Sequence, residues 1–323
     1  MAKYSVILSN VGSVADRYVP TGYGHPFSVE QLFERASSIP QVSGIELIGG
    51  AHVDNNVKEL KKLLDEHQLQ LASIIPDHFG QMKWKYGSFS SRDPEIRRQA
   101  IAHAKEMMDV AAELGGDLIS LWPGQDGYDY LFQGDYTLER DWIAEGLKEV
   151  CNYRKDIKVG LEYKIKEPRT HSYISTAAVT LLLIQEIGAD NCGATIDFGH
   201  ALNAYENPAE VVALLKRYGD KLFHVHMNDN YRHWDDDMIV GSVHTIETLE
   251  FFYWLKRTNY NGWLSIDQYP YREDGLEAVR EGVNAMESFV QLTDRLNVEE
   301  VEALLKSGSA VQATAFLRKL LLS

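Results

Sequence analysis

Cysteine is scarce in this chain of 323 residues: only Cys151 and Cys192 are present. Two isolated cysteines exclude a disulfide framework and a CxxC metal knot, so both are expected buried and reduced. Long apolar runs are also missing. No stretch approaches the roughly 18 apolar residues of a membrane span. The opening Met-Ala-Lys-Tyr-Ser-Val-Ile-Leu-Ser-Asn turns polar too early for a secretory h-region. Basic charge is in deficit, with 32 Lys and Arg against 47 Asp and Glu and a formal net charge of −15. That balance argues against a nucleic-acid backbone as partner and suits a neutral polar small molecule. A cytoplasmic enzyme with no membrane and no nucleic-acid partner is the expectation.

What is present is alternation. β-rich runs near 4–10, 44–49, 69–76, 117–123, 158–164, 193–197, 222–228 and 263–268 are bounded by turn residues. Between and after them lie helical patterns near 28–38, 55–67, 93–115, 138–154, 173–188, 208–218, 244–257 and 274–294. Asp93-Pro94 and Asn207-Pro208 are helix starts, and Gly115-Gly116 is a stop. Eight βα repeats predict an α/β fold, a (β/α)8 TIM barrel over 1–295. The tail 296–323 is expected to form a short helical extension, broken at Lys306-Ser-Gly-Ser, against the barrel's underside or a neighbouring subunit. Two long loops, about 77–92 and 123–137, follow strands and should lie at the catalytic face with aromatic residues to offer.

Four strands end on a side chain suited to a metal: Glu162, Asp197, His226 and Asp267. They are spaced by ~30 to 40 residues, about one βα unit, so they would converge at the barrel mouth. His224, His226 and Asn228 alternate and share one strand face, as do Gly160, Glu162 and Lys164. Three carboxylates and one imidazole suit Mn²⁺, Mg²⁺, Co²⁺ or Zn²⁺. Beside them His200 follows Asp197 by three residues, and Asp235-Asp236-Asp237 follows the His226 strand. Asp235 and Asp237 can reach one ion while Asp236 points away, so these two with His200 form a candidate second cation site. A cation chelated by a carbonyl and a neighbouring hydroxyl would favour either a hydride shift between adjacent carbons or proton removal alpha to the carbonyl.

The segments Glu162-Tyr-Lys164, Asp197-Phe-Gly-His200, the run from His226 through Asp235-Asp236-Asp237 to His244, and Ile266-Asp267-Gln268 resemble L-rhamnose isomerase. More broadly they resemble the xylose isomerase-like TIM-barrel superfamily. The resemblance is dense over about 158–270 and looser before it, and the chain is shorter than the rhamnose isomerases. It implies a metal-dependent aldose–ketose isomerase of free monosaccharides, with two divalent ions per subunit, Mn²⁺ foremost, in a homo-oligomer (dimer or tetramer). Glu162, Asp197, His226 and Asp267 would bind the structural metal and substrate oxygens, with Asp267 near both ions. His200, Asp235 and Asp237 would bind the catalytic metal, and His200 would also lie beside the substrate. Lys164 would hydrogen-bond a substrate oxygen, His78 would contact the sugar ring oxygen, and Trp122 would wall the reacting carbons. The runner-up is a ketose 3-epimerase in which Glu162 and Asp267 act as an acid/base pair across C3. Epimerases of the superfamily usually carry glutamate where Asp267 stands. A zinc-cluster endonuclease conflicts with the charge, and a non-catalytic sugar-binding barrel would have lost ligands that are present here. Trp84 and Tyr86 are expected in packing roles, and His244 at a helix start or the second site.

Overall fold

A computed structural model describes residues 2–322 apart from Arg17 and Asn55. Its barrel strands are β1 Lys3–Ile7, β2 Val42–Ile48, β3 Gln70–Ile75 and β4 Leu118–Leu121, then β6 Lys158–Glu162, β9 Cys192–Asp197, β10 Leu222–Met227 and β11 Trp263–Ile266. All neighbours are parallel, and β1 pairs with β11 to close the ring. The TIM barrel and its eight strands are as the sequence predicts. A three-stranded antiparallel sheet was not foreseen: β5 Gly127–Tyr128, β7 Lys166–Glu167 and β8 Thr170–Ser172. It ties the loop after β4 to the loop after β6.

The period-2 pattern divides each barrel strand. Val6, Ile45, Leu47, Ile74, Val159, Ile196, Val225 and Ile266 are wholly buried in the apolar core. The alternate positions Ser5, Glu46, Ser73, Ser120, Thr195, His224 and Ser265 are equally buried but polar. They line the barrel axis, where small hydroxyls pair with one another, as in Ser120 Oγ to Thr195 Oγ1 at 2.9 Å. Buried polar groups on this scale need partners, and the largest of them, Glu46 and His224, partner each other.

The helices around the barrel are α1 Val29–Ser37, α2 Val57–His67, α3 Pro94–Glu113, α4 Tyr136–Tyr153, α5 Ala177–Ile187, α7 Pro208–Arg217, α8 Thr245–Arg257 and α9 Gly275–Arg295. Their starts follow the capping rules: Asp93 accepts from the Glu95 amide and Asn207 from the Ala209 amide, each before a proline. Gly115, at φ +83°, ends α3 in the left-handed region. A short helix missed in the sequence, α6 Phe198–Asn203, starts directly on the end of β9 with Asp197 as its cap. The tail forms α10 Val298–Ser307 and α11 Ala310–Leu322, with Gly308 in the left-handed region between them. Glu302 of α10 joins Tyr253 and Arg257 of α8, so the tail lies on the barrel's own flank.

Candidate active site

The strand ends bring Glu162, Asp197, His226 and Asp267 together. One ligand atom from each lies within 4.8 Å of the others. His226 Nδ1 sits at the centre, 3.2 Å from Glu162 Oε2 and 3.4 Å from Asp267 Oδ2. Asp197 is held from two sides. Its Oδ1 accepts from the His200 amide at 2.7 Å, as the cap of α6, and its Oδ2 accepts from Asn228 Nδ2 at 2.8 Å. Gly199 allows this closeness, because a Cβ there would lie 2.2 Å from Asn228 Oδ1.

Asp197 also belongs to a second group, with His200 and Asp235, whose ligand atoms again fall within 4.8 Å of one another. His200 Nε2 is 3.2 Å from Asp235 Oδ2. The carboxylate common to both groups is thus Asp197, where Asp267 had been expected near both. Asp237, at φ +47°, lines the same cavity but stands outside the three-residue group. The loop that carries Asp235 and Asp237 is pinned at its base. Asp229 and Met238 exchange two backbone hydrogen bonds, and the Asp229 carboxylate accepts from the amides of Val243 and His244 and meets His244 Nδ1 at 2.9 Å. His244 therefore serves the start of α8 and the loop, not the ligand cluster.

Lys164 lies just past β6 and is almost fully buried. Its Nζ is 2.6 Å from Asp235 Oδ2, 2.5 Å from Glu167 Oε2, and 5.0 Å from the centre of the Trp122 ring. Trp122 packs on Phe79 at 4.9 Å, and both line a cavity of about 780 Å³. Ile7, Ile48 and Ile75 line it too, with Glu162, Asp267 and the Asp235–Asp237 loop.

His78 is not brought to this cavity. A hydrogen bond from its own amide to the Pro76 carbonyl, 2.9 Å, turns the chain sharply after β3. The ring is wholly buried on the helix side, 3.1 Å from the Ala100 carbonyl of α3 and edge-on to Trp84, Phe89 and His103. The sugar-contact role expected of His78 is therefore corrected to one of packing, and Phe79 takes its place at the cavity wall. Trp84 is buried as expected, donating to the Asp77 carbonyl, whereas Tyr86 is exposed rather than packed.

The electrostatics describe a site crowded with negative charge. Burial pushes the Asp267 carboxyl up to about 8, with Asp197 and Glu162 adding to the shift and His226 opposing it. Burial likewise raises Asp197 to about 6, against the pull of His200. Burial, then the charges of Asp235 and Asp267, hold Asp237 well above the ordinary carboxylate range. Glu162 goes the other way: burial opposes its charge, but His226, His200 and Lys164 together hold it below the ordinary range. His200 rises to about 9: burial opposes its charge, but Asp197 and Asp235 prevail. Lys164 stays charged against its burial through Asp235 and Glu167. A divalent cation would relieve this crowding. The donors fit one: three carboxylates and an imidazole whose Nδ1 is buried without a hydrogen-bond partner.

With that donor set in view, likeness to known proteins can be stated. Residues 33–289 match the family described as xylose isomerase-like TIM barrel. The chain belongs to this family. Xylose isomerase of Thermus thermophilus is 30% identical over 251 residues, covering 75% of this chain and 64% of that protein. The Thermus caldophilus enzyme is also 30% identical, over 76% of this chain and 65% of its own length. The chain thus spans just under two thirds of these curated relatives. Among solved structures, an L-ribulose 3-epimerase superposes with a TM-score of 0.70 at 17% identity, over 91% of this chain and 96% of the other. A D-tagatose 3-epimerase-like protein gives 0.67 at 23%, over 89% and 99%. At those identities the likeness is one of fold. No helix among the described residues is long and apolar enough to cross a membrane.

Sequence reasoning missed three contributors to this xylose isomerase-like site. Glu46, a lone carboxylate in an apolar strand, lies beneath His226. Glu167 is the second partner of Lys164, and Asp229 anchors the acidic loop. An acidic residue inside an otherwise apolar run was the signal for Glu46; nothing in the sequence marked the other two.

Proposed function

We propose that this protein is a divalent cation-dependent aldose–ketose isomerase of free monosaccharides, of the L-rhamnose isomerase kind, moving hydrogen between C1 and C2. One observation carries the reading. A buried lysine, Lys164, is clamped by Asp235 at 2.6 Å beside two ligand groups that share Asp197. Isomerisation needs a fixed positive group at the carbonyl oxygen together with cation sites, and this arrangement offers both.

Bound divalent ions, Mn²⁺ in this proposal, would supply Lewis-acid polarisation of the carbonyl and chelation of adjacent substrate oxygens. Glu162, Asp197, His226 and Asp267 would hold one, and His200, Asp235 and Asp237 with Asp197 the other. The Lys164 ammonium donates to the oxygen where negative charge grows, and needs no reorganisation because Asp235 and Glu167 already fix it. Trp122 and Phe79 cover the carbon chain and keep water from the migrating hydrogen. Among the described residues that line the cavity, Lys164 stands without a cluster of Arg and Lys to receive a phosphate, which favours a free sugar. A homo-oligomer in the cytoplasm belongs to the same proposal and rests on the family resemblance.

A ketose 3-epimerase is the second reading. It is favoured by one observation: Glu162 and Asp267 flank His226 Nδ1 with their carboxyls displaced in opposite directions, as an acid and a base would be. A panel of L- and D-aldoses and ketoses with Mn²⁺, run in D₂O and read by NMR of the products, separates the two. The isomerase reading expects aldose–ketose conversion with hydrogen retained between C1 and C2. Exchange of the C3 hydrogen with inversion there would overturn it in favour of the epimerase.

A further inference from the structure

The strand-end cluster stands on a layer of the barrel that the chemistry above does not use. Glu46 projects from β2 into the barrel axis and is wholly buried. Its Oε1 lies 2.8 Å from His224 Nε2, and its Oε2 lies 3.3 Å from His226 Nε2. The Ser73 hydroxyl donates to Oε2 as well. An ionised carboxylate only accepts hydrogen bonds. Each imidazole nitrogen that faces it must therefore carry the hydrogen.

On His226 this decides the other nitrogen. In the neutral ring that a cation would bind, hydrogen on Nε2 leaves the lone pair on Nδ1. Nδ1 is the atom that points between Glu162 and Asp267, buried and without a hydrogen-bond partner. The opposite tautomer would turn an N–H into the ligand cluster and leave Glu46 facing a bare nitrogen. His224 carries no ligand role in that cluster. It occupies the second oxygen of Glu46, and its ring stands edge-on to that of His226 at 5.0 Å. Together these contacts leave Glu46 one rotamer and His226 one orientation.

We propose that Glu46, braced by His224 and Ser73, is a positioning residue that locks His226 in the Nε2–H tautomer and aims Nδ1 at the bound cation. The inference rests on the cation-site part of the reading above and is independent of which sugar is turned over. It places control of cation affinity in a residue that never touches the ion, an arrangement in which loss of the outer partner typically weakens binding about 10–100-fold.

Long-range ¹H–¹⁵N NMR of the histidines in the Zn²⁺-loaded protein tests it directly. The expected spectrum has His226 and His224 both protonated at Nε2, and His226 Nδ1 unprotonated and shifted by the metal. Hydrogen on His226 Nδ1 would overturn the proposal. So would loss of both Nε2–H signals, which would instead mean an ion held by Glu46, His224 and His226. Calorimetric titration of the cation-free protein with Mn²⁺ is the second arm. Glu46→Gln puts an amide NH₂ among donors, so the Mn²⁺ affinity should fall about 10–100-fold while circular dichroism stays unchanged. Ser73→Ala, which leaves the acceptor in place, should stay within about threefold. Unchanged affinity in a folded Glu46→Gln protein would overturn the proposal. If that variant does not fold, the NMR of the unsubstituted protein still decides. Neither arm uses a sugar, so failure of the isomerase reading would leave both results interpretable.

Discussion

The two halves of the barrel mouth are built from the same repeated unit but finished differently. Strands β1, β2 and β3 end in Ile7, Ile48 and Ile75, with Phe79 just beyond β3 and Trp122 directly after β4, and present an apolar wall. Strands β6, β9 and β10 carry Glu162, Asp197 and His226 at their C-terminal ends, Asp267 follows β11 directly, and these present the polar one. A carboxylate at a barrel mouth is tolerable only with partners or a cation, and in the polar half burial and neighbouring charge hold Asp197, Asp237 and Asp267 above the ordinary carboxylate range. The apolar half has no such crowding. On the proposed reading, cation chemistry resides in one half and substrate shape in the other, and substitutions should separate them.

The largest effect is expected from Asp197→Ala, which removes the carboxylate common to both ligand groups. Turnover should fall by about a thousandfold or more, the scale of several kcal/mol of Lewis-acid stabilisation, with Mn²⁺ binding lost in calorimetry. Next is the double variant Asp235→Ala with Asp237→Ala. It should keep the first ion and lose the second, lowering kcat about a hundredfold. Full activity in that protein would rule out the two-ion mechanism. Smaller, and confined to the apolar half, is Trp122→Ala: KM for the sugar should rise about tenfold, near 1.4 kcal/mol of lost binding, with Mn²⁺ affinity unchanged. A parallel loss of Mn²⁺ affinity would show that the halves are not separable.

The polar half was legible because its ligands sit on strand ends, where period 2 fixes the facing and the βα spacing fixes the convergence. Glu162, Asp197 and His226 all lie within strands in the structure. His78 was misjudged because it lies three residues past Ile75, and the tight turn at Pro76 breaks the phase on which the inference depended. Glu46 was overlooked for the opposite reason: it is in phase, but its partners His224 and His226 are 178 and 180 residues away. Contacts across the barrel axis leave no trace in local spacing. The sheet of β5, β7 and β8 escaped notice because two- and three-residue strands carry no periodicity.

The smallest expected effect concerns pH. Asp267, raised to about 8, and Asp197, raised to about 6, hold protons in the folded cation-free protein that the unfolded chain releases near pH 4. Stability therefore falls as pH rises through those values. His200, raised to about 9, acts in the same direction: its contribution is complete below about 6.5 and is lost as pH rises through 9. Thermal melts of the cation-free protein should thus show Tm dropping by roughly 5 °C between pH 6 and 9. Mn²⁺ should restore more at pH 9 than at pH 6, and a flat profile would mean that the carboxylates are not crowded.

The central claim, that the polar half of the mouth is a divalent cation centre, is tested most directly by calorimetric titration of EDTA-treated protein with Mn²⁺. Two ions per chain in the unsubstituted protein, one in the Asp235→Ala, Asp237→Ala protein and none in Asp197→Ala are predicted. The same binding in all three, or none in the unsubstituted protein, would contradict the account.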